Sequence, residues 1–125
     1  MDRNNNYVET SLSLDEEVNN TKHQLDSIKY ELGIGRLLRV EFIANYVDVG
    51  YAELSLAEDL LEIRWVEVYE IYKSKGYLGK IVKKLLELGY IMFGEVVDVN
   101  LKEIWENVGA NFVTDWTFVI SKEGK

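Results

Sequence analysis

The hydrophobic positions of the chain alternate in some segments and recur every three or four residues in others. Residues 7–14, YVETSLSL, alternate as a β-strand does. The spacing of Ser13 and Glu16 is that of a capping box, which predicts that a helix begins there. The apolar residues that follow fall on one helical face: Val18, Leu25, Ile28 and Leu32. Gly33 is placed to end this helix, and the polar residues 1–6 are predicted to be disordered.

The middle of the chain is rich in β-branched and aromatic residues. Turn-like residues at 48–50 and 57–59 interrupt it, and the residues between them alternate in hydrophobicity. We therefore predict three antiparallel strands, near 37–47, 51–56 and 60–71.

Helical spacing returns in the last third of the chain. The apolar positions of this second helix are Leu78, Ile81, Val82, Leu85 and Leu86. Gly89 is predicted to close the helix, and IMFGEVVDV reads as a buried strand. Asn100 and Glu103 are predicted to cap a short third helix that ends at Gly109, and residues 111–121 to form a last strand or a hairpin. The element order predicts one domain with a mixed α/β layer structure.

The composition limits the classes of protein to which this chain can belong. A chain of 125 residues is long enough for a single domain with its own core. Fourteen basic residues against twenty-two acidic ones give a net charge of −8, which disfavours nucleic acid as a partner. We find no apolar stretch of membrane-spanning length, no secretory signal pattern and no cysteine. These features predict a soluble cytoplasmic protein that does not bind membranes.

One basic segment stands out from this acidic background. Its lysines are Lys73, Lys75, Lys80, Lys83 and Lys84, and no acidic residue lies among them. The segment joins a predicted strand to a predicted helix, an arrangement that exposes backbone N–H groups at the positive end of a helix dipole and suits a phosphate. Its spacing is not that of a P-loop. A solvated lysine-rich helix face is the alternative interpretation.

The same segment, VYEIYKSKGYLGKIVKKLL, resembles the acetyl-CoA-binding segment of the GNAT N-acetyltransferases. In that family an Arg or Gln is followed after two residues by Gly, and then after one residue by Gly or Ala. Lys73, Gly76 and Leu78 occupy these positions. EIWENVGANFV is similar to a second GNAT segment, with Trp105 where the family has tyrosine. The resemblance implies a GNAT-like α+β fold, a mixed and mostly antiparallel sheet flanked by helices, although the family usually has two helices where this chain offers one.

The resemblance also implies an activity, the transfer of an acetyl group from acetyl-CoA to a primary amine of a small molecule or protein. Backbone groups of Val66 and Val68 would then pair with the pantetheine arm of the cofactor. The predicted cofactor-binding segment comprises Lys73, Ser74, Lys75, Gly76, Tyr77, Leu78, Gly79 and Lys80, and the N–H groups of residues 74–80 would hold the pyrophosphate. Glu62 matches the general base of the histone-acetylating branch, and Glu67 is an alternative. A raised carboxylate pKa beside Trp65 would suit that role, whereas both glutamates could equally be ordinary solvent-facing residues.

Two departures from the family pattern matter. Leu78 replaces the second glycine, and a left-handed backbone there would cost about 1–2 kcal/mol unless Gly79 restores the room. Trp105 cannot protonate a leaving thiolate, and Tyr72, Tyr77 and Tyr90 are possible substitutes.

These departures motivate a second hypothesis, a catalytically degenerate GNAT-fold protein that serves as a protein-binding module. Exposed aromatic residues along the strands, such as Tyr46, Tyr51 and Tyr69, also suggest edge-to-edge pairing of the sheet in a homodimer.

Overall fold

The computed structural model describes residues 7–32 and 37–122. The predicted disorder of residues 1–6 and the predicted helix stop at Gly33 lie outside these ranges. The strands are β1 (Tyr7–Ser13), β2 (Leu37–Ala44), β3 (Val47–Ala57), β4 (Leu60–Val68), β5 (Ile91–Glu95), β6 (Asn111–Phe112) and β7 (Thr117–Ile120). The helices are α1 (Val18–Leu32), α2 (Tyr77–Glu87) and α3 (Lys102–Asn107), with short 3-10 turns at Glu70–Tyr72 and Val99–Leu101. None of these helices has the length and apolarity that a membrane crossing requires.

The strands form one seven-stranded mixed sheet in the order β1-β2-β3-β4-β5-β7-β6. The three predicted central strands are confirmed, and β2, β3 and β4 pair antiparallel. β1 pairs parallel with β2, and β4 parallel with β5. A single helix connects the two strands of each parallel pair. It returns the chain to the end of the sheet at which the first strand of the pair began. One helix between β1 and β2 therefore makes that pair parallel.

The core lies on one face of the sheet. Its strand residues alternate along each strand and face one another across it: Leu12, Val40, Phe42, Leu54, Ile63, Met92 and Phe118. The helices α1, α2 and α3 pack on this face: α2 supplies buried Leu85, and in α3 Trp105 stacks on Phe118. The α1 side chain of Gln24 donates to the Thr10 hydroxyl of β1. Right-handed crossovers from parallel strands that advance in one direction across a sheet place their helices on the same face.

The opposite face, which we call the open face, is partly accessible to solvent. Trp65 of β4 is 47% exposed there, and Tyr7 of β1 is 38% exposed. Because the side chains of a strand alternate, every core residue has a neighbour on the open face. In the described part of the chain, the sheet is thus a single layer with helices on one side only.

The predicted capping box is wrong, because α1 begins at Val18. Ser13 is the last residue of β1 and is paired with β2. Its hydroxyl accepts a hydrogen bond from the N–H of Asp15 at 3.0 Å, while the Glu16 carboxylate accepts one from the Asn20 side chain at 3.1 Å. Because Ser13 is held in the sheet, the chain needs four more residues before α1 can begin.

The predicted turn at 48–50 is also wrong, because the β2–β3 hairpin turns at Asn45 and Tyr46. Both have left-handed backbones, with φ of 54° and 67°, as the tight turns that suit twisted strands require. Gly50 instead lies within β3, where a Cβ atom would sit 2.2 Å from the Glu67 carbonyl oxygen of β4. The glycine is needed for close strand approach, not for a turn.

In the last third, the short helix and the hairpin are confirmed, but the cap is not the predicted one. The carboxylate of Asp98 accepts from the N–H of Asn100 at 2.9 Å, so Asp98 takes the capping role. The chain then passes through a 3-10 turn into α3. Gly109 ends the helical segment with a φ of 108°, as predicted.

Candidate functional site

The pairing of β4 with β5 stops halfway along β4. Described pairs join Leu60–Ile63 to Ile91–Gly94, whereas β4 continues to Val68. A β-bulge begins where this pairing ends, since Ile63 faces Leu54 and Trp65 faces Glu53, which leaves Arg64 as an extra residue. A bulge bends its strand and increases the local twist. Because β5 ends at Glu95, residues 64–68 have no β5 partner in the described part of the chain, and we call the unpaired strand edge beside them the gap.

The backbone groups that border the gap can be assigned from the ladder between β3 and β4. The N–H of Tyr69 donates to the Val49 carbonyl at 3.0 Å, and Glu67 pairs with Tyr51. Backbone groups of alternate residues point to alternate sides of a strand. The N–H and C=O groups of Val66 and Val68 consequently point away from β3, into the gap.

The turn between β4 and α2 contains two left-handed residues, Ser74 with φ 69° and Gly76 with φ 80°. The first helical bond of α2 runs from the Lys80 N–H to the Gly76 carbonyl at 3.1 Å, and Gly76 has no side chain with which to cap the helix. The N–H groups of residues 77–79 precede that bond and have no acceptor within the helix. In the described part of the chain, the N–H groups of residues 74–76 have no acceptor either. The predicted set of amide donors therefore ends at Gly79, because the Lys80 amide is used.

The expected strain at Leu78 is wrong. Leu78 lies in the regular first turn of α2, and the left-handed position belongs to Gly76. Apart from Gly76 itself and its two chain neighbours, no described residue has an atom within 4 Å of where a Cβ of Gly76 would be, so the space over this glycine is open. A Cβ at Gly79 would face Val108, the residue directly after α3, at 3.8 Å, an ordinary packing distance. A leucine at 78 thus costs the backbone nothing, and Gly79 is not needed to restore room.

The basic segment does not act as one cluster of charges. Lys84 is buried, and its ammonium group donates a hydrogen bond to the Glu16 carbonyl before α1. The Lys73 ammonium is 3.4 Å from the Glu70 carboxylate, and that of Lys80 lies 5.3 Å from the ring centre of Tyr77. The lysines near the free amide groups are therefore Lys75 and Lys80, while Lys84 joins α2 to the start of α1.

Both candidate bases lie on the open face, but in different halves of β4. Glu62 is in the paired half, with its side chain 39% exposed and 3.4 Å from the Arg64 guanidinium. Glu67 is exposed in the half beside the gap, opposite Tyr51. Five residues of strand place them about 16 Å apart, too far to act on the same proton. Which of them serves as a base stays a prediction.

The aromatic residues divide between core and site. Trp105 stacks on Phe118 with ring centres 4.6 Å apart and is a packing residue. Tyr90 is buried at the far end of α2, and burial, followed by the charge of Asp26, raises its pKa. Tyr72 and Tyr77 meet edge to face at 6.2 Å beside the start of α2. Of the three tyrosines considered as acids, Tyr72 and Tyr77 are the two near the gap.

A polar recess of about 760 Å³ lies at the outer edge of the sheet. It is lined by β1, the start of α1 and the β2–β3 turn, including Ser13, Glu16, Asn20 and Tyr46. None of the residues predicted for the cofactor lines it. Sequence reasoning missed this recess, since its lining comes from three segments that only the fold brings together.

Comparison with known proteins identifies the fold. The chain matches no family model, and no curated protein sequence is similar to it at a significant level. Solved structures do match. A GNAT-family protein from Bacteroides thetaiotaomicron superposes with a TM-score of 0.59 at 13% identity, over 78% of this chain and 69% of that one. YhhK of E. coli, solved with coenzyme A bound, gives 0.54 at 12% over 86% and 94%, and GCN5 of Tetrahymena gives 0.54 at 10% over 90% and 88%.

The protein has the fold of the GNAT N-acetyltransferases, as the sequence resemblance implied. At these identities the likeness concerns the fold, and the chemistry must be argued from the residues.

Proposed function

We propose that the protein is an N-acyltransferase that moves an acetyl group from acetyl-CoA to a primary amine. The observation that carries this proposal is the gap beside residues 64–68 of β4, which adjoins the uncapped start of α2. The backbone groups of β4 that suit an extended pantetheine arm therefore lie next to the amide donors that suit a phosphate. The shared fold, and the coenzyme A held by YhhK, support the same conclusion.

The residues present fit such a donor. The open space over Gly76 admits close approach of a phosphate to the backbone, and residues 74–79 offer amide donors at the positive end of the α2 dipole. Val66 and Val68 offer backbone groups for the pantetheine arm. When bound, the thioester supplies an electrophilic carbonyl carbon and a thiolate leaving group.

The remaining roles concern protons. An amine acceptor is protonated at neutral pH and must lose a proton before it attacks, and the leaving thiolate must gain one. We assign removal of the proton from the amine to Glu67, which borders the gap, and retain Glu62 as the alternative. Tyr72 and Tyr77 are the candidates for giving a proton to the thiolate. Replacing each glutamate by glutamine and measuring kcat against pH distinguishes them, since loss of the base lowers kcat and removes its acidic limb.

Calorimetry with acetyl-CoA tests the donor site. Gly76→Leu should weaken binding at least about tenfold, because the side chain occupies the space over the amides. Gly89→Leu is the matched control: Gly89 follows α2, also has a left-handed backbone and has equally open surroundings. Both variants carry similar strain, so only the ligand distinguishes them. Unchanged affinity in the Gly76 variant would place the site elsewhere, and no binding to the natural protein at near-millimolar acetyl-CoA would overturn the proposal.

The second candidate function is a noncatalytic GNAT-fold protein that binds another macromolecule. The packing of Trp105 on Phe118 favours it, since the residue at the position of the family's acid belongs to the core. An assay for free thiol released from acetyl-CoA, with polyamines and lysine peptides as acceptors, distinguishes the acetyltransferase from the noncatalytic protein. Binding of acetyl-CoA without thiol release would favour the noncatalytic protein.

A further inference from the structure

The open face of β1–β4 carries charged and aromatic side chains in rows across the strands. One row contains Glu9, Arg39, Glu53 and Trp65, and the next contains Ser11, Glu41, Tyr51 and Glu67. Residues of one row are direct cross-strand neighbours, about 5 Å apart. Since α1, α2 and α3 pack on the other side, solvent reaches these rows, and Glu9, Ser11, Trp65 and Glu67 are exposed.

The surface is strongly acidic. Among the described residues, its carboxylates are Glu9, Glu41, Asp48, Glu53, Glu62 and Glu67, against the two guanidinium groups of Arg39 and Arg64. The ion pairs use Glu53, 3.6 Å from Arg39, and Glu62, 3.4 Å from Arg64. In residues 7–32 and 37–122, Glu9, Glu41 and Glu67 have no cation within ion-pair distance. Both guanidinium groups are therefore paired with carboxylates, and the described residues of the surface keep a net negative charge.

The aromatic rings of this surface already hold a guanidinium group. Arg39 lies 3.7 Å from the ring centre of Tyr51, and its ion pair with Glu53 secures it on the other side. Tyr69 packs 6.3 Å from Tyr51, and Trp65 offers a half-exposed ring one row away. A cation over an aromatic ring beside a carboxylate is a favourable combination. The surface thus has the chemistry to hold further guanidinium or ammonium groups.

We propose that the open face is a docking surface for a basic peptide segment of a partner protein, one rich in arginine or lysine. A second copy of the chain would bring two acidic surfaces together, and nucleic acid would bring phosphates to carboxylates, so repulsion opposes both occupants. A small molecule needs a concave pocket, and none of the carboxylates of this surface lines the 760 Å³ recess at the outer edge of the sheet. A basic peptide complements its charge.

Fluorescence anisotropy tests the proposal with a labelled peptide of alternating arginine and glycine, and with its glutamate–glycine counterpart. The arginine peptide should bind at low ionic strength and weaken as salt is added, and the glutamate peptide should not bind. The double variant Glu9→Lys with Glu41→Lys reverses two charges on the surface that have no ion pair with the described residues. It should weaken binding about tenfold.

The double variant Glu103→Lys with Glu106→Lys is the matched control, since it makes the same change in net charge on exposed positions of α3. It should alter affinity by less than about twofold. Equal losses in both variants would mean that net charge alone attracts the peptide, and would overturn the proposal. So would absence of binding, or self-association of the natural protein that the surface variant abolishes, because the occupant would then be a second copy.

Two further measurements locate the complex. Binding should change the fluorescence of Trp65, and Trp65→Phe should remove that change. The Gly76→Leu variant should bind the peptide normally, since its change lies at the start of α2. Loss of peptide binding in a folded Gly76 variant would contradict a docking surface that does not depend on the start of α2.

Discussion

The two ends of α2 look alike in backbone conformation and differ in what surrounds them. Gly76 before the helix has φ 80° and Gly89 after it has φ 98°, and at both glycines the space where a Cβ would lie is clear of described atoms to 4 Å. At the first end Leu78 is half-buried, and the N–H groups of residues 74–79 have no acceptor among the described residues. At the second, Leu88 is buried and its N–H bonds to the carbonyls of Lys84 and Leu85.

The comparison shows that the two ends of α2 have different roles. The second half of the helix stabilises the fold through buried side chains and hydrogen-bonded backbone groups. The first turn leaves backbone N–H groups without an acceptor in the described part of the chain. Unsatisfied backbone groups are tolerated at a surface where water or a ligand can pair with them. We therefore expect changes at the second end to act on stability and changes at the first end to act on binding.

The largest expected effect is on stability at the second end. Leu88→Ala should lower the free energy of unfolding by about 2–5 kcal/mol, because it leaves a cavity in the core. Leu78→Ala makes the same chemical change in a half-buried position and should cost about 1 kcal/mol. Urea unfolding of both variants measures the difference. Equal losses would show that the first turn is as much a part of the core as the last.

A smaller effect should depend on pH. Burial raises the pKa of Tyr90, whereas an unfolded tyrosine ionises near pH 10. The stability contributed by its neutral form is therefore complete below about pH 10 and is lost as pH rises through the folded-state pKa. Unfolding experiments at increasing alkaline pH should show this loss in the natural protein and a shallower one in Tyr90→Phe. Parallel pH curves for the two proteins would exclude Tyr90 as the cause.

The smallest effect should be on acetyl-CoA affinity. Lys80→Ala should weaken it about threefold at low salt, since the lysine is an exposed charge near the free amides. Lys22 is exposed in the recess beside Gly89, so Lys22→Ala removes the same charge at the second end and should leave affinity unchanged. Calorimetry at two salt concentrations measures both. A loss in the Lys22 variant equal to that in the Lys80 variant would indicate only long-range electrostatics.

Local signals were sufficient for most elements. Alternation predicted β1 through β4, and helical spacing predicted α2, because both periods follow from the backbone geometry of the element itself. Gly89 and Gly109 were correctly placed as helix ends, since few other residues adopt a positive φ easily.

The errors have a common physical cause. Ser13 and Glu16 fit a capping box, but pairing with β2 holds Ser13 in the sheet. Gly50 fits a turn, but the approach of the Glu67 carbonyl oxygen explains it better. In each case a distant segment of the chain competes with a local preference, and that competition is not visible in the residues nearby.

The amino-acid sequence by itself determined the succession of strands and helices, the glycine before α2 and the acidic charge of the chain, because each depends on neighbouring residues or on composition alone. Only the tertiary structure decided that the pairing of β4 with β5 ends at Ile63 and that α1, α2 and α3 share one face. It also decided that Glu9, Glu41 and Glu67 meet on the other face with no cation of the described residues to pair with. These features depend on which strands become neighbours, and that choice is made by the packing of the whole sheet.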